Sequence, residues 1–167
     1  MRRISTRALW LLLAVITATV AAASIILTPW FDLDPCYLCI FQRLLFMVLA
    51  LLAILATSGI AQLTTFAGLL FIVVSAGGVS VAAYQSWLQW QPADTVSCVG
   101  GQPNLLEQLI EWLGEKVPAL FLASGFCEDR GLVIFGLSLA NLAGLVFSGA
   151  LALALWAWWQ SKTRHLV

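Results

Sequence analysis

The chain has 167 residues, of which 62% are hydrophobic and only 10% are charged, and its mean hydropathy is +0.98. Soluble domains carry about 25% charged residues, so this composition excludes an ordinary soluble domain and predicts a polytopic membrane protein. The formal net charge is zero and the sequence contains no basic patch, so it does not predict nucleic-acid binding.

Four apolar stretches divide the chain, each close to or longer than the roughly 18–20 residues that a hydrocarbon core requires. They cover about residues 8–27, 40–57, 63–83 and 132–159. A connection of only a few residues separates the second and third stretches, as in a tight helix–helix turn. We therefore predict an all-α membrane protein, a single domain over residues 1–167 built as a four-transmembrane-helix bundle.

Basic residues flank the predicted bundle at both ends of the chain. Arg2, Arg3 and Arg7 precede the first span, and Lys162 and Arg164 follow the fourth. Because cytoplasmic segments are enriched in Lys and Arg, both termini are predicted to be cytoplasmic, which an even number of spans permits. The loops at about residues 28–39 and 84–131 then face the opposite side. The first apolar run is longer than the hydrophobic region of a signal peptide, so we interpret it as a span.

All four cysteines fall in these two loops, with Cys36 and Cys39 in the first and Cys98 and Cys127 in the second. On an oxidising face, an even number of cysteines indicates disulfide chemistry, either structural or catalytic. A zinc site is disfavoured because the second pair is widely separated in sequence and the one histidine, His165, belongs to the predicted cytoplasmic tail. Structural disulfides and redox catalysis remain as the two alternatives.

The stretch DPCYLCIFQR, residues 34–43, favours redox catalysis. A disulfide within C-x-x-C closes a very short ring and stabilises a fold little, whereas such pairs are common where the bond must open. Pro35 fixes the backbone before Cys36. Cys39 is predicted in the first turn of the second span, where unpaired amides and the helix dipole favour a thiolate.

Arg43 follows Cys39 by four residues, so the two side chains share one face of the predicted helix. An arginine inside a span costs roughly 2.5–3.5 kcal/mol at mid-bilayer. One interpretation is that Arg43 reaches outward to the lipid headgroups. The other is that it stabilises the Cys39 thiolate and donates hydrogen bonds to a polar group within the membrane, for which a quinone head group is suited. Gln42 is predicted to point elsewhere and is given no role.

The second loop contains one predicted amphipathic helix. Asn104 and Glu107 form a capping-box-like pair, apolar residues recur after them at helical spacing, and Pro118 interrupts the pattern. This short interfacial helix lies either flat on the outer leaflet or against the top of the bundle. Cys98, in SCVGGQPN, is expected on an exposed arm, and Cys127 near the first-loop pair.

Three features together resemble the disulfide bond formation protein DsbB family. CYLCIFQR matches the C-x-x-C-x-x-x-R pattern of that family, WLGEKVPALFLASGFCEDR at residues 112–130 is similar to its segment around the last cysteine, and FGLSLANL continues the similarity. With the four-span layout, the resemblance covers nearly the whole chain. It implies a protein of the bacterial inner membrane whose cysteine loops face the periplasm.

The resemblance also implies a relay of electrons. A periplasmic thioredoxin-fold oxidase of the DsbA type would attack Cys98, and the electrons would reach Cys127, which exchanges with Cys36. Cys39 would then act on a membrane quinone, ubiquinone being favoured over menaquinone, and Arg43 matches the arginine associated with that quinone. A relay of this kind is already known to keep the bacterial periplasm oxidising.

The chain departs from the family at one position, and two other functions remain open. Many members have a histidine near the outer end of the third span, where this chain reads AAYQSWLQ. Gln85 can donate a hydrogen bond there but does not titrate. A four-span protein with purely structural loop disulfides is one alternative function. A thiol reductase resembling vitamin K epoxide reductase-like proteins, in which electrons flow in the opposite direction, is the other.

Overall fold

The computed structural model of the chain describes residues 5–91 and 105–164. Four long helices and two short ones account for most of these residues, together with one two-stranded hairpin. In chain order they are α1 (Thr6–Trp30), α2 (Tyr37–Ala56), α3 (Ala61–Leu88), α4 (Leu105–Lys116), α5 (Pro118–Phe121), β1 (Val133–Ile134), β2 (Leu137–Ser138) and α6 (Leu139–Arg164). The predicted all-α, four-span architecture is confirmed, because α1, α2, α3 and the Leu139–Gln160 part of α6 are all long and apolar enough to cross a membrane.

The four long helices form a closed antiparallel ring. Helix α1 packs on α2, α2 on α3 and α3 on α6, and α6 closes the ring against α1. Since the helices alternate in direction, α1 begins and α6 ends on the same side. The opposite side carries Cys36, Cys39 and Cys127, and we call it the cysteine end.

The fourth span begins at Leu139, later than the predicted start near residue 132. Strands β1 and β2 pair antiparallel, with Val133 opposite Ser138, and occupy the first part of the predicted span. The turn between them uses Phe135 and Gly136, whose φ angles are 52° and 81°. Two successive residues with positive φ reverse the chain and cannot belong to a helix, which is why α6 starts only after the hairpin.

The amphipathic helix of the second loop is present as α4, and it packs on the bundle. Ile110 is fully buried in a cluster with Ile40 of α2 and Phe121 of α5. The structure therefore favours the interpretation in which this helix lies against the cysteine end of the bundle. Asn104, the predicted capping residue, lies outside the described residues.

The centre of the ring is filled by aromatic rings set against small residues. Phe46 of α2 and Phe147 of α6 stack with centroids 4.1 Å apart and planes 8° from parallel. Gly78 of α3 lies against Phe147, and a Cβ atom at that position would overlap the Phe147 ring. Close approach at small residues is how membrane helices gain packing contacts, since the lipid removes the usual hydrophobic driving force. Helices α2, α3 and α6 therefore meet at Phe147.

Gly78→Ala is expected to destabilise the bundle by about 1–3 kcal/mol, because the fully buried Phe147 ring must move to admit the methyl group. The measurement is reversible unfolding in mixed detergent micelles. Gly77→Ala is the matched control, since no atom lies within 4 Å of a Cβ at that neighbouring position. Equal stability of the two variants would show that the α3–α6 contact is looser than described.

Candidate active site

The first two cysteines lie at the point where α2 begins. Cys36 is the N-cap residue, with an extended backbone (φ −81°, ψ 170°), and its carbonyl accepts a hydrogen bond from the Ile40 amide at 3.0 Å. Cys39 is in the first helical turn, and one turn of helix brings its Sγ to 3.3 Å from the Cys36 Sγ. The C-x-x-C spacing across a helix N-terminus thus places the two sulfurs in contact.

A third sulfur joins this pair from the second loop. Cys127 is hydrogen-bonded to Cys36, and both side chains are buried against Leu88 of α3, at 3% and 2% exposure. Three of the four cysteines singled out in the sequence therefore form one cluster, which we call the sulfur cluster: Cys36, Cys39 and Cys127. Cys98 lies outside the described residues.

Cys127 is held from its N-terminal side by a clamp between the two loops. The backbone amides of Ser124 and Gly125 both donate to the Pro35 carbonyl, at 3.0 and 3.2 Å. The Ser124 hydroxyl also donates to the Asp34 carboxylate at 2.8 Å. Gly125 lies so close to the Asp34 carbonyl that a Cβ atom would overlap it. The segment before Cys127 is consequently fixed to the two residues that precede Cys36.

On its C-terminal side, the Cys127 segment is fixed to the end of α3. Gln89 donates from Nε2 to the Asp129 carbonyl at 3.2 Å and accepts from Arg130 on its own backbone carbonyl at 3.4 Å. Its side-chain oxygen accepts a hydrogen bond from the Ser138 hydroxyl at 2.7 Å. Gln89 is 7% exposed, and its bond to Ser138 is buried. Cys127 is thereby attached on both sides.

The environment of Cys36 disfavours its anion. Hydrogen bonding to Cys127 and to Cys39, together with burial, raises the pKa of the Cys36 thiol far above its ordinary value. Among residues 5–91 and 105–164, no three histidine, cysteine or acidic side chains are arranged to hold a metal ion.

Two buried glutamines complete the surroundings of the sulfurs. Gln85 of α3 donates from Nε2 to the Cys39 Sγ at 3.0 Å and to the Cys36 Sγ at 3.4 Å. Its side-chain oxygen accepts a hydrogen bond from Gln42 Nε2 at 2.7 Å. Gln42 does point elsewhere than Arg43, as predicted, but its contact with Gln85 beside the sulfurs was not foreseen. The available signal was its polarity, because an amide inside an apolar span needs a partner.

Arg43 is buried at 5% exposure and its guanidinium bonds to protein groups, which disfavours the interpretation that it reaches outward to the lipid headgroups. Its Nε donates to the Ser24 hydroxyl at 2.8 Å, and Nη2 donates to the Ser24 carbonyl and the Thr28 hydroxyl at 3.1 and 2.6 Å. Nη1 donates to the Leu120 carbonyl at 2.7 Å. The guanidinium carries five N–H donors, so one Nη1 hydrogen has no acceptor within the described parts of the chain.

The acceptors that hold Arg43 were not predicted from the sequence. Ser24 and Thr28 lie one turn apart on α1, and Leu120 belongs to α5 of the second loop. A serine and a threonine four residues apart in an apolar span were a usable signal, since they mark one polar strip on α1. The Leu120 contact is made by a backbone carbonyl and leaves no trace in the sequence.

Comparison with known proteins agrees with this architecture. A family model described as "Disulfide bond formation protein DsbB" matches residues 6–157. A protein named Disulfide bond formation protein B from Dechloromonas aromatica (strain RCB) is 40% identical over 136 residues, 80% of each chain. Its namesake from Azoarcus sp. (strain BH72) is 33% identical over 163 residues, 95% of each chain. The chain therefore belongs to the DsbB family and is a multi-pass, disulfide-forming membrane protein.

Proposed function

We propose that this protein is a quinone-dependent thiol oxidase that reoxidises a periplasmic dithiol oxidase of the DsbA type. The observation that carries the proposal is the sulfur cluster itself. It runs without interruption from Cys127 in the second loop, through Cys36, to Cys39 in the first turn of a membrane-spanning helix. The route joins a water-facing loop to the lipid phase. The proposed function requires the cysteine end to face the periplasm and the helices to lie in the inner membrane.

Thiol exchange along this route is balanced in atoms and electrons. A thiolate of the reduced partner attacks Cys98 in a Cys98–Cys127 disulfide, and the partner's second thiol resolves the mixed disulfide. The partner leaves oxidised, and Cys98 and Cys127 hold the two electrons as thiols. Cys127 then attacks Cys36 in a Cys36–Cys39 disulfide and releases Cys39 as a thiolate. Attack by Cys98 on Cys127 frees Cys36 and leaves the electrons on the first pair.

The geometry supports Cys39 as the last of the four cysteines to receive the electrons. In the reduced pair, the raised pKa of Cys36 keeps the proton on that sulfur, so the negative charge is expected on Cys39. The Gln85 N–H at 3.0 Å from the Cys39 Sγ is oriented to stabilise that charge. A hydrogen bond to an ionised group in a low-dielectric site is stronger than one between neutral groups.

Arg43 is suited to hold the head group of the oxidant. Arg43 follows Cys39 by one helical turn on the same face of α2, and its remaining Nη1 hydrogen fits a carbonyl acceptor. The hydrogen bonds to α1 and α5 fix the guanidinium before any ligand arrives. When bound, a membrane quinone would supply the capacity to accept two electrons, and ubiquinone is favoured over menaquinone.

The two alternative functions are less well supported. A purely structural role for the disulfides does not account for a buried arginine and a buried amide placed around the C-x-x-C pair. Membership of a disulfide bond formation family favours net oxidation of thiols over net reduction. The direction of flow is tested directly by supplying reduced and oxidised partner separately.

Purified protein with ubiquinone is expected to oxidise a reduced DsbA-type protein catalytically, and Cys39→Ser is expected to abolish quinone reduction. The variant should still form a mixed disulfide with the partner through Cys98, because that step does not use Cys39. Quinone absorbance and non-reducing gels provide the two readouts. An inactive wild-type protein with ubiquinone and menaquinone alike would contradict the proposed function, and a missing adduct in the variant would contradict the order of exchange.

Arg43→Ala is expected to raise the apparent KM for quinone about tenfold or more, because a charged donor in a buried site contributes about 1.5–3 kcal/mol. The KM for the thiol partner should change much less. Arg43→Lys keeps the charge but not the fork of donors, so its KM for quinone should be intermediate. Arg7→Ala, at the opposite end of the bundle, is the control. An unchanged quinone KM in Arg43→Ala would limit Arg43 to a structural role.

Gly125→Ala is expected to slow formation of the Cys36–Cys127 bond about tenfold or more, because the added methyl separates the second loop from Asp34. The rate is measured by mild oxidation in a background where Cys39 and Cys98 are serine. Gly149→Ala makes the same chemical change in α6, where a Cβ has no neighbour within 4 Å, and should leave the rate unchanged. A fast reaction in Gly125→Ala would show that the clamp does not position Cys127.

A further inference from the structure

The contact between Gln42 and Gln85 joins two helices inside the apolar part of the chain. Gln42 of α2 is 4% exposed and Gln85 of α3 is 1% exposed. Their amides meet at 2.7 Å, closer than either contact between Gln85 and a sulfur. Burying two amides is unfavourable unless each finds partners. The proposed mechanism uses Gln85 and gives Gln42 no task.

The chemistry of an amide gives Gln42 a specific effect on its neighbour. Gln85 can present either its oxygen or its NH2 group to the sulfurs, depending on a half-turn about its last side-chain bond. Gln42 donates an N–H to the Gln85 oxygen, and that bond keeps the oxygen turned toward α2. The NH2 group must then point toward Cys39 and Cys36. With the Gln42 amide held as it is, the opposite orientation of Gln85 would place two NH2 groups face to face and turn the Gln85 oxygen toward a sulfur anion.

Two adjacent residues of α2 therefore bond to two different neighbouring helices. Arg43 is directed to Ser24 and Thr28 of α1, whereas Gln42 is directed to Gln85 of α3. Cys39, one turn earlier, lies between these two sets of donors. Arg43 lies on the same helix face as Cys39. Gln42, in contrast, affects Cys39 only through the side-chain amide of Gln85.

We propose that Gln42 is a positioning residue that locks the Gln85 amide with its NH2 group toward Cys39, and thereby favours the thiolate form of Cys39. The inference rests on the proposed function only in taking Cys39 as the reacting thiolate. It goes beyond that function because it assigns control of this thiolate to a residue that contacts neither sulfur nor oxidant.

The test is the rate of Cys39 alkylation in the fully reduced chain, reconstituted in nanodiscs without quinone and mapped by fragment-ion mass spectrometry. Gln42→Met keeps the size of the side chain and removes the donor. At pH 7 it should lower the rate about threefold or more, and Gln85→Met should lower it about tenfold, as expected for loss of a hydrogen bond to a charged group. As the pH is raised the three rates should converge, because ionisation of the thiol then depends less on the hydrogen bond.

The pH profile separates positioning from packing. A variant that merely loosened the bundle would expose Cys39 and alkylate faster at every pH, so a faster reaction would overturn the proposal. Gln62→Met, at the exposed start of α3, makes the same change elsewhere and should leave the rate unaltered. If Gln42→Met does not fold, Gln42→Leu provides the same loss of the donor.

The double variant tests the route of the effect. If Gln42 acts through Gln85, Gln42→Met should have no further effect on Cys39 alkylation in a Gln85→Met background. Additive losses in the double variant would overturn the proposal, as would an unchanged rate in Gln42→Met alone. None of these measurements uses turnover, so they distinguish failure of this inference from failure of the oxidase function.

Discussion

Two amides donating to one carbonyl hold the two cysteine-bearing loops together. The Pro35 carbonyl accepts from Ser124 and Gly125, and this clamp places Cys127 beside Cys36 although the two residues are far apart in the chain. Proline suits this position because its ring fixes φ and so aims the carbonyl. Glycine suits the other side because no side chain fits between the two backbones. Without the clamp, the third sulfur would be held by hydrogen bonds only from its C-terminal side, through Gln89.

The cysteine end is also unusual in the number of polar groups that it buries inside apolar helices. Arg43, Gln42 and Gln85 are each almost completely enclosed, and each finds hydrogen-bond partners in the protein. In a low-dielectric setting such partners are needed, because an unpaired donor there is costly. The same setting strengthens every interaction that a sulfur anion makes. Buried polar side chains would be costly in a purely structural bundle, but they suit a site at which a sulfur anion forms and is later discharged.

The sequence was sufficient to predict some of this arrangement, and the reason differs from residue to residue. Four apolar runs predicted the four spans because length and hydropathy are local properties. Cys39 and Arg43 were correctly placed on one helix because their spacing is local too. The Gln42–Gln85 contact joins residues 43 positions apart, and no local pattern specifies which helix faces which. The clamp is made largely by backbone atoms, which carry no sequence signal, and the hairpin at residues 133–138 was hidden within an apolar run that also fitted a helix.

The near-complete burial of Cys36 and Cys127 has a consequence for fidelity. Two sulfurs with almost no surface offer no point of attack to small thiols dissolved in the surrounding water, and exchange requires the correct approach of a thiolate to a sulfur. In the proposed relay, electrons would therefore reach this pair from a sulfur carried on the protein's own chain rather than from free reductants. If the proposed relay operates, this burial would keep its disulfides from being reduced by small thiols in the surrounding water.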